Sequence, residues 1–276
     1  MKLVDLKFQP GIDKQDTAYS AGDQRRYTDS DFVRFHYGKP ERWGGWSYLP
    51  NPNKTIVGVI RDTHSWIGLD GTRYLALGTD RKLYLFSEGA LYDITPIRET
   101  ATGLSNPFTT ASGSPIVTVT DSSHGAAAGD FVTFDSFSTL NGLDMNNEFE
   151  ITTYVDANTY KVTHTSNATG TTSGGGGTGN ANYQITTGPA TSTYGYGWGT
   201  ETWGASTWDE PRSSSNVVIA ARNWSLDNFG EDLIATVLNG GTFIKDISGS
   251  IDARATALSN APTASRFSLV STDTRH

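Results

Sequence analysis

Arg73–Pro96, RYLALGTDRKLYLFSEGALYDITP, decides the fold class. It reads as three short strands, Tyr74–Gly78, Lys82–Ser87 and Ala90–Thr95, separated by tight polar or Gly-containing turns. Within each run the side chains alternate: Tyr74, Ala76 and Gly78 against Leu75 and Leu77, then Leu83 and Leu85 against Tyr84 and Phe86. A period of two is the mark of a half-buried strand. With Ile56–Ile60 or His64–Gly68 placed before it, the segment makes a four-stranded antiparallel meander, the size of one β-propeller blade. A weaker echo, GEDLIATVLNGGTFIKDI, occupies Gly230–Ile247, and Thr242–Ile247 corresponds there to Lys82–Ser87.

The rest of the composition agrees with an all-β chain. Of 276 residues 36% are hydrophobic and 18% charged, with 30 Gly, enough for one or two packed domains. The best helical windows, Asp29–Phe35 and Ala220–Asp227, are short. No apolar run approaches the ~18 residues of a membrane span, and MKLVDLKFQPG lacks the apolar stretch of a signal peptide. The absence of cysteine removes disulfides, thiolate zinc sites and cysteine nucleophiles together, and fits synthesis in a reducing cytoplasm. A net charge of −8 argues against a nucleic-acid-binding surface, which is normally basic.

Four regions follow from the pattern. Residues 1–55 read as an extended arm with Pro and Gly turns and many aromatic anchors. Phe32, Phe35, Trp43 and Trp46 are expected to pack on the neighbouring β domain, with reach to another subunit as the sharper reading. Residues 56–105 are the blade. Residues 106–187, rich in Thr, Ser and Gly, break into short strands at Pro115–Thr120, Asp130–Phe134, Glu148–Thr153 and Thr159–His164, and read as an inserted small β-barrel or sandwich. The run Thr169–Gly179, with Gly174 to Gly177 consecutive, is expected to be its flexible exit linker. Residues 188–276 return to blade-like material, with strands at Asn216–Ala221, Leu233–Val237 and Phe267–Ser271 after a strand at Tyr183–Thr187. Together with the first blade, that supplies at most three blades at about 40–50 residues each, whereas a propeller closes with about four to eight. The expectation is therefore a natural polypeptide longer than this one, the other reading being that other elements cover the open edge.

Chemistry-bearing constellations are sparse. No two carboxylates are paired by spacing as a glycosidase needs, and the sialidase Asp box is missing. Gly174–Gly177 has no following Lys and no apolar helix, so it is no phosphate loop. His36, His64, His124, His164 and His276 are isolated, and His124 reads as a turn residue. Asp144-Met-Asn146-Asn147 and Asp156-Ala-Asn158 read as Asx turns and not as calcium loops. No catalytic residue, metal site or cofactor is therefore expected. Trp198, Trp203 and Trp208, five residues apart, carry the one ligand reading, stacking on sugar rings; the plainer reading is that they fill the space between blades.

Several motifs in order resemble a family of tailed-bacteriophage structural proteins. They are Phe8-Gln-Pro-Gly-Ile12, Tyr27-x-Asp29, Val33-Arg34-Phe35, Gly38-Lys-Pro-Glu41 and Trp43-Gly-Gly-Trp46, then Tyr194–Trp208, Phe229-Gly-Glu-Asp-Leu-Ile-Ala235 and Ser271-Thr-Asp-Thr-Arg-His276. The insert, with Val117-Thr-Val119, His124-Gly125, Gly129-Asp130-Phe131-Val132 and Asn158-Thr159-Tyr160, is similar to small β modules of phage tail proteins. The resemblance implies a virion tail component of nozzle or hub type, made in the host cytoplasm. In such proteins β-propeller subunits form a ring, commonly hexameric, below the head-to-tail adaptor, and the genome DNA passes through the lumen without specific binding. The family carries no catalytic residues, so no enzymatic activity is implied. Phe8, Arg34, Phe35, Trp43 and Trp46 become subunit-interface or packing anchors. The alternative is a receptor- or glycan-binding tail module with Trp198, Trp203 and Trp208 as its contact surface.

Overall fold

The structure, a computed structural model, describes residues 9–45, 55–188 and 221–271. The chain divides into two compact units, residues 1–50 and 51–276.

In the first unit, β1 (Gln9–Ile12) pairs in parallel with β2 (Arg26–Tyr27), and the link between them carries the helix α1 (Ala18–Asp23). Thr17 caps α1, its hydroxyl accepting from the Ser20 N–H at 3.3 Å. Arg26 ties the segment together, donating to Gln9 Oε1 at 3.2 Å and to Asp13 Oδ2 at 2.8 Å. A hairpin of β3 (Val33–His36) and β4 (Lys39–Arg42) follows, turning on Tyr37 and Gly38, both with positive φ. Two left-handed residues match the twist of a two-residue hairpin loop. The helical window Asp29–Phe35 is thus corrected: its second half is strand, because Val33 and Phe35 face one way and Arg34 and His36 the other.

In the second unit, β5 (Ile60–Ile67), β6 (Arg73–Thr79), β7 (Leu83–Ser87) and β8 (Ala90–Asp93) form the expected antiparallel meander. Its pairing is in register from Trp66↔Tyr74 through Ala76↔Leu85 to Tyr84↔Asp93.

The chain then enters an eight-stranded sheet made of β9 (Ile97–Ser105), β10 (Phe108–Thr110), β11 (Ile116–Thr120), β12 (Phe131–Asp135), β13 (Glu148–Asp156), β14 (Thr159–Thr163), β15 (Thr172–Gly175) and β16 (Thr178–Gln184). The β9–β16 ladder runs from Ile97↔Gln184 to Ser105↔Thr178, and β10–β15 continues it from Phe108↔Gly175 to Thr110↔Thr172. The sheet nearly closes on itself through this single bent ladder, around a core that includes Phe108, Phe134, Phe137, Val117, Ile151 and Val162. The linker expected at Thr169–Gly179 is therefore corrected: most of it is ladder. Gly174, Gly176 and Gly177 of the bend all have positive φ, where glycine is favoured. At Gly176, with φ +101°, a Cβ atom would stand 2.5 Å from the buried Phe108 ring.

A second meander ends the described chain: β17 (Trp224–Phe229), β18 (Asp232–Val237), β19 (Thr242–Lys245) and the short β20 (Thr256–Ala257). The helical window Ala220–Asp227 gives way to strand here, with Trp224 and Leu226 packed in one core and Ser225 and Asp227 on the opposite face. Phe267–Ser271 is not a strand. It crosses that opposite face and is held by side chains, Ser268 N–H to Ser225 Oγ at 3.3 Å and Val270 N–H to Asp227 Oδ2 at 2.7 Å. Of the strand expected at Asn216–Ala221, residues 216–220 lie outside the described residues.

The two meanders stack face to face over a shared core of Trp66, Tyr74, Leu83, Leu85, Trp224 and Leu233. Asp62 accepts from Leu226 N–H at 3.1 Å, His64 Nε2 lies 2.8 Å from Asn228 Oδ1, and Trp66 Nε1 donates to Glu231 O at 2.8 Å. Residue numbers climb together along the contact, so β5 and β17 run parallel. At the far side Ala255 N–H donates to Ile94 O at 3.0 Å, which sets β20 beside β8. Strand order is thus the same in both sheets. Gly78 lets them approach: a Cβ there would lie 2.5 Å from Trp224 Cγ.

Candidate functional site

Three polar or open features stand out in the second unit, and the densest sits where the barrel meets the stacked sheets. Two of its residues come from the β6–β7 turn, Arg81 and Lys82, and both reach the Phe131 ring of β12. Arg81 Nη2 donates to Gly129 O at 3.0 Å and Glu150 Oε1 at 2.6 Å. The Lys82 side chain is only 2% exposed, and its Nζ lies 4.4 Å from the Phe131 centroid. A buried ammonium must be compensated. Lys82 donates to Asp93 Oδ2 at 2.8 Å, across the sheet from it, and to Glu148 Oε1 at the start of β13. Arg254, from the loop before β20, closes the set: its Nη1 donates to Asp93 Oδ1 and Thr95 O, both at 3.1 Å, and its Nη2 to Glu148 Oε2 at 3.4 Å. Gln184 Nε2 also donates to Glu148 Oε2.

Two cations and two carboxylates therefore neutralise one another among three sheets. Burial alone pushes the Asp93 carboxyl up, but the Lys82 and Arg254 charges, with hydrogen bonds from Lys82 and Thr95, outweigh it and hold Asp93 below its ordinary 3.8. Nearby Tyr84, whose hydroxyl accepts from Val57 N–H at 3.0 Å, is pushed up to about 12, chiefly by burial. The charged groups of the cluster are paired with one another, with no nucleophile among them. Its capacity is to hold parts together.

A second buried cluster lies inside the barrel. Tyr183 donates to Asp121 Oδ2 at 2.6 Å, and the Tyr160 and Tyr183 hydroxyls are 2.9 Å apart. Burial raises both phenols, so they remain neutral donors. His124 is only 2% exposed and is a turn residue, as expected: Nδ1 accepts from Ala126 N–H at 3.1 Å while Nε2 lies 3.0 Å from Asp156 O. The Asx turns are present too, Asp144 accepting from Asn146 N–H at 3.0 Å and Asp156 from Asn158 N–H at 2.8 Å.

The third feature is an apolar groove of about 560 Å³ on the outer face of the second meander, lined by Phe229, Ile234, Ile244, Leu258, Phe267 and Leu269. Phe267 is 74% and Leu269 79% exposed at its rim.

Of the anchors expected in the first unit, Arg34 pairs with Glu41 at 3.2 Å and the Phe35 ring centroid lies 5.5 Å from that of Tyr27. Trp43 and Phe32 are exposed, at 62% and 70%. Phe8, Trp46, Trp198, Trp203 and Trp208 lie outside the described residues. The sequence reading missed Lys82, Asp93, Glu148 and Arg254. Its one available signal was a Lys and an Asp placed across neighbouring strands in the most apolar stretch of the chain.

No family model matches the chain, and no curated protein does. Among solved structures it is similar to the phage phi92 endosialidase, at 16% identity and a TM-score of 0.28, over 72% of this chain and 28% of that one. The chain thus spans under a third of that neighbour's length.

Proposed function

We propose that the chain is a non-enzymatic structural component of a phage tail, a nozzle or hub subunit that assembles into a ring between the head-to-tail adaptor and the distal tail and lines part of the DNA path. The observation that carries this is the way the two meanders stack. They keep the same strand order with β5 and β17 parallel, which is how one propeller blade follows the next, and the propeller is the architecture that the N-terminal motifs imply by resemblance. An aromatic core shared between sheets and a barrel fixed by buried charge suit a part that must keep its shape under load. The excess of acidic residues, net −8, favours passage of DNA over retention, since phosphate contacts are what create affinity.

Light scattering on the purified chain across a concentration series tests this reading. A ring, expected to be hexameric, supports it, and a monomer at every concentration overturns it. Binding of that monomer on a glycan array would favour the receptor-binding alternative instead.

A further inference from the structure

We propose that Lys82, Asp93, Glu148 and Arg254 form a charge lock that holds the barrel at one fixed angle on the stacked sheets, making it a rigid projection and not a tethered module. This lock does not depend on ring formation.

The backbone attachment is narrow. The barrel joins the sheets only through two neighbouring strands, β9 and β16, and the last contact of that ladder is Ile185 N–H to Pro96 O at 3.0 Å. A two-stranded ribbon resists stretching but bends and twists easily. The lock lies off that ribbon and engages all three bodies at once: Lys82 and Asp93 from the first meander, Glu148 from the barrel, Arg254 from the second meander. Arg81 adds a flanking contact to Glu150.

Buried ion pairs of this kind contribute little net stability compared with apolar packing, but they penalise every arrangement that separates them. Swinging the barrel away removes Glu148 from an ammonium that is 2% exposed. It also lifts Phe131 off the same Nζ, ending a cation–π contact. Only one pose satisfies Lys82, Arg254 and both carboxylates together.

The chain has no cysteine, so two introduced thiols report on the pose without interference. Ser166→Cys on the barrel and Ser259→Cys beside β20 are both exposed positions for spin labels. Pulsed electron-spin measurements should give a single narrow distance distribution. Adding Glu148→Gln should broaden it at least twofold, while amide-exchange protection of β11, β14, β6 and β18 is kept. Arg254→Gln, which leaves the Lys82–Glu148 pair in place, should broaden it less and decides the matter if Glu148→Gln does not fold. Distributions as narrow as the parent's in the folded variants would overturn the lock.

Discussion

The barrel and the stacked sheets use the same unit, the antiparallel hairpin, and finish in different states. The barrel pairs its strands around nearly a full circuit and hides an apolar core that includes Phe108, Phe134 and Phe137 within its own wall. Among the described residues the meanders remain two separate four-stranded sheets. Each buries one face against the other through Trp66 and Trp224, and the second keeps a groove with Phe267 and Leu269 exposed on its far side. One region wraps around its own core, while the other, among the described residues, is a stack with an apolar groove on its outer face. Near-closure leaves little free sheet edge, and stacking only moves the apolar surface outward.

Lys82→Met should show the largest effect, because it strands Asp93 and Glu148 beside one remaining cation. Breaking a buried pair in this way costs about 3–5 kcal/mol, read as a lower midpoint in urea. The two close-approach glycines then separate the regions. Gly176→Ala forces a Cβ against Phe108 at a positive φ, and the overpacking and left-handed strain together should cost about 2–4 kcal/mol. Gly78→Ala forces one against Trp224 with no such strain, and should cost about 1–3 kcal/mol. Tryptophan fluorescence should change in the second variant and not in the first. If both variants lose barrel and sheets in one transition, the two regions are a single cooperative unit.

Acid should act on the junction before either core. Asp93 is held below 3.8 in the fold, so its contribution is fully present above the unfolded value and is lost as pH falls through the lower folded one. Circular dichroism followed down from pH 5 should therefore report loosening only below about pH 4. The smallest effect belongs to the first unit: Arg34→Ala removes an exposed ion pair with Glu41 and should cost less than about 1 kcal/mol in thermal melts.

Much of this was legible in the sequence, because alternation reports directly which strand face is buried. β6, β7, β11, β12, β14 and β18 all fall within a residue or two of where the pattern places them. The glycine run was misread for a physical reason. Gly174–Gly177 has the composition of a linker, and what distinguishes a bend over Phe108 from a free coil is a ring 66 or more positions earlier in the chain. Ala220–Asp227 reads as a helical window because a strand that is half polar on its outer face loses its clean period, and its Trp224–Asp227 part is strand. The lock was invisible for a third reason: its members are separated by 11, 66 and 161 residues, and charge in a turn ordinarily means solvent. Only tertiary contact turns Lys82 from a turn residue into a buried one.

The bent ladder that begins at Pro96 and Ile185 has a consequence for how the chain folds. Inserting a domain normally obliges the host to close a long loop, an entropic cost that grows by about 0.6 kcal/mol for each doubling of loop length. Here the two ends of the insert are hydrogen-bonded neighbours. Once the barrel has formed, the meanders experience it as a hairpin tip, so the search that brings β17 onto β5 is shorter than their separation in sequence suggests. The barrel is then an early folding event that shortens the route to the stack.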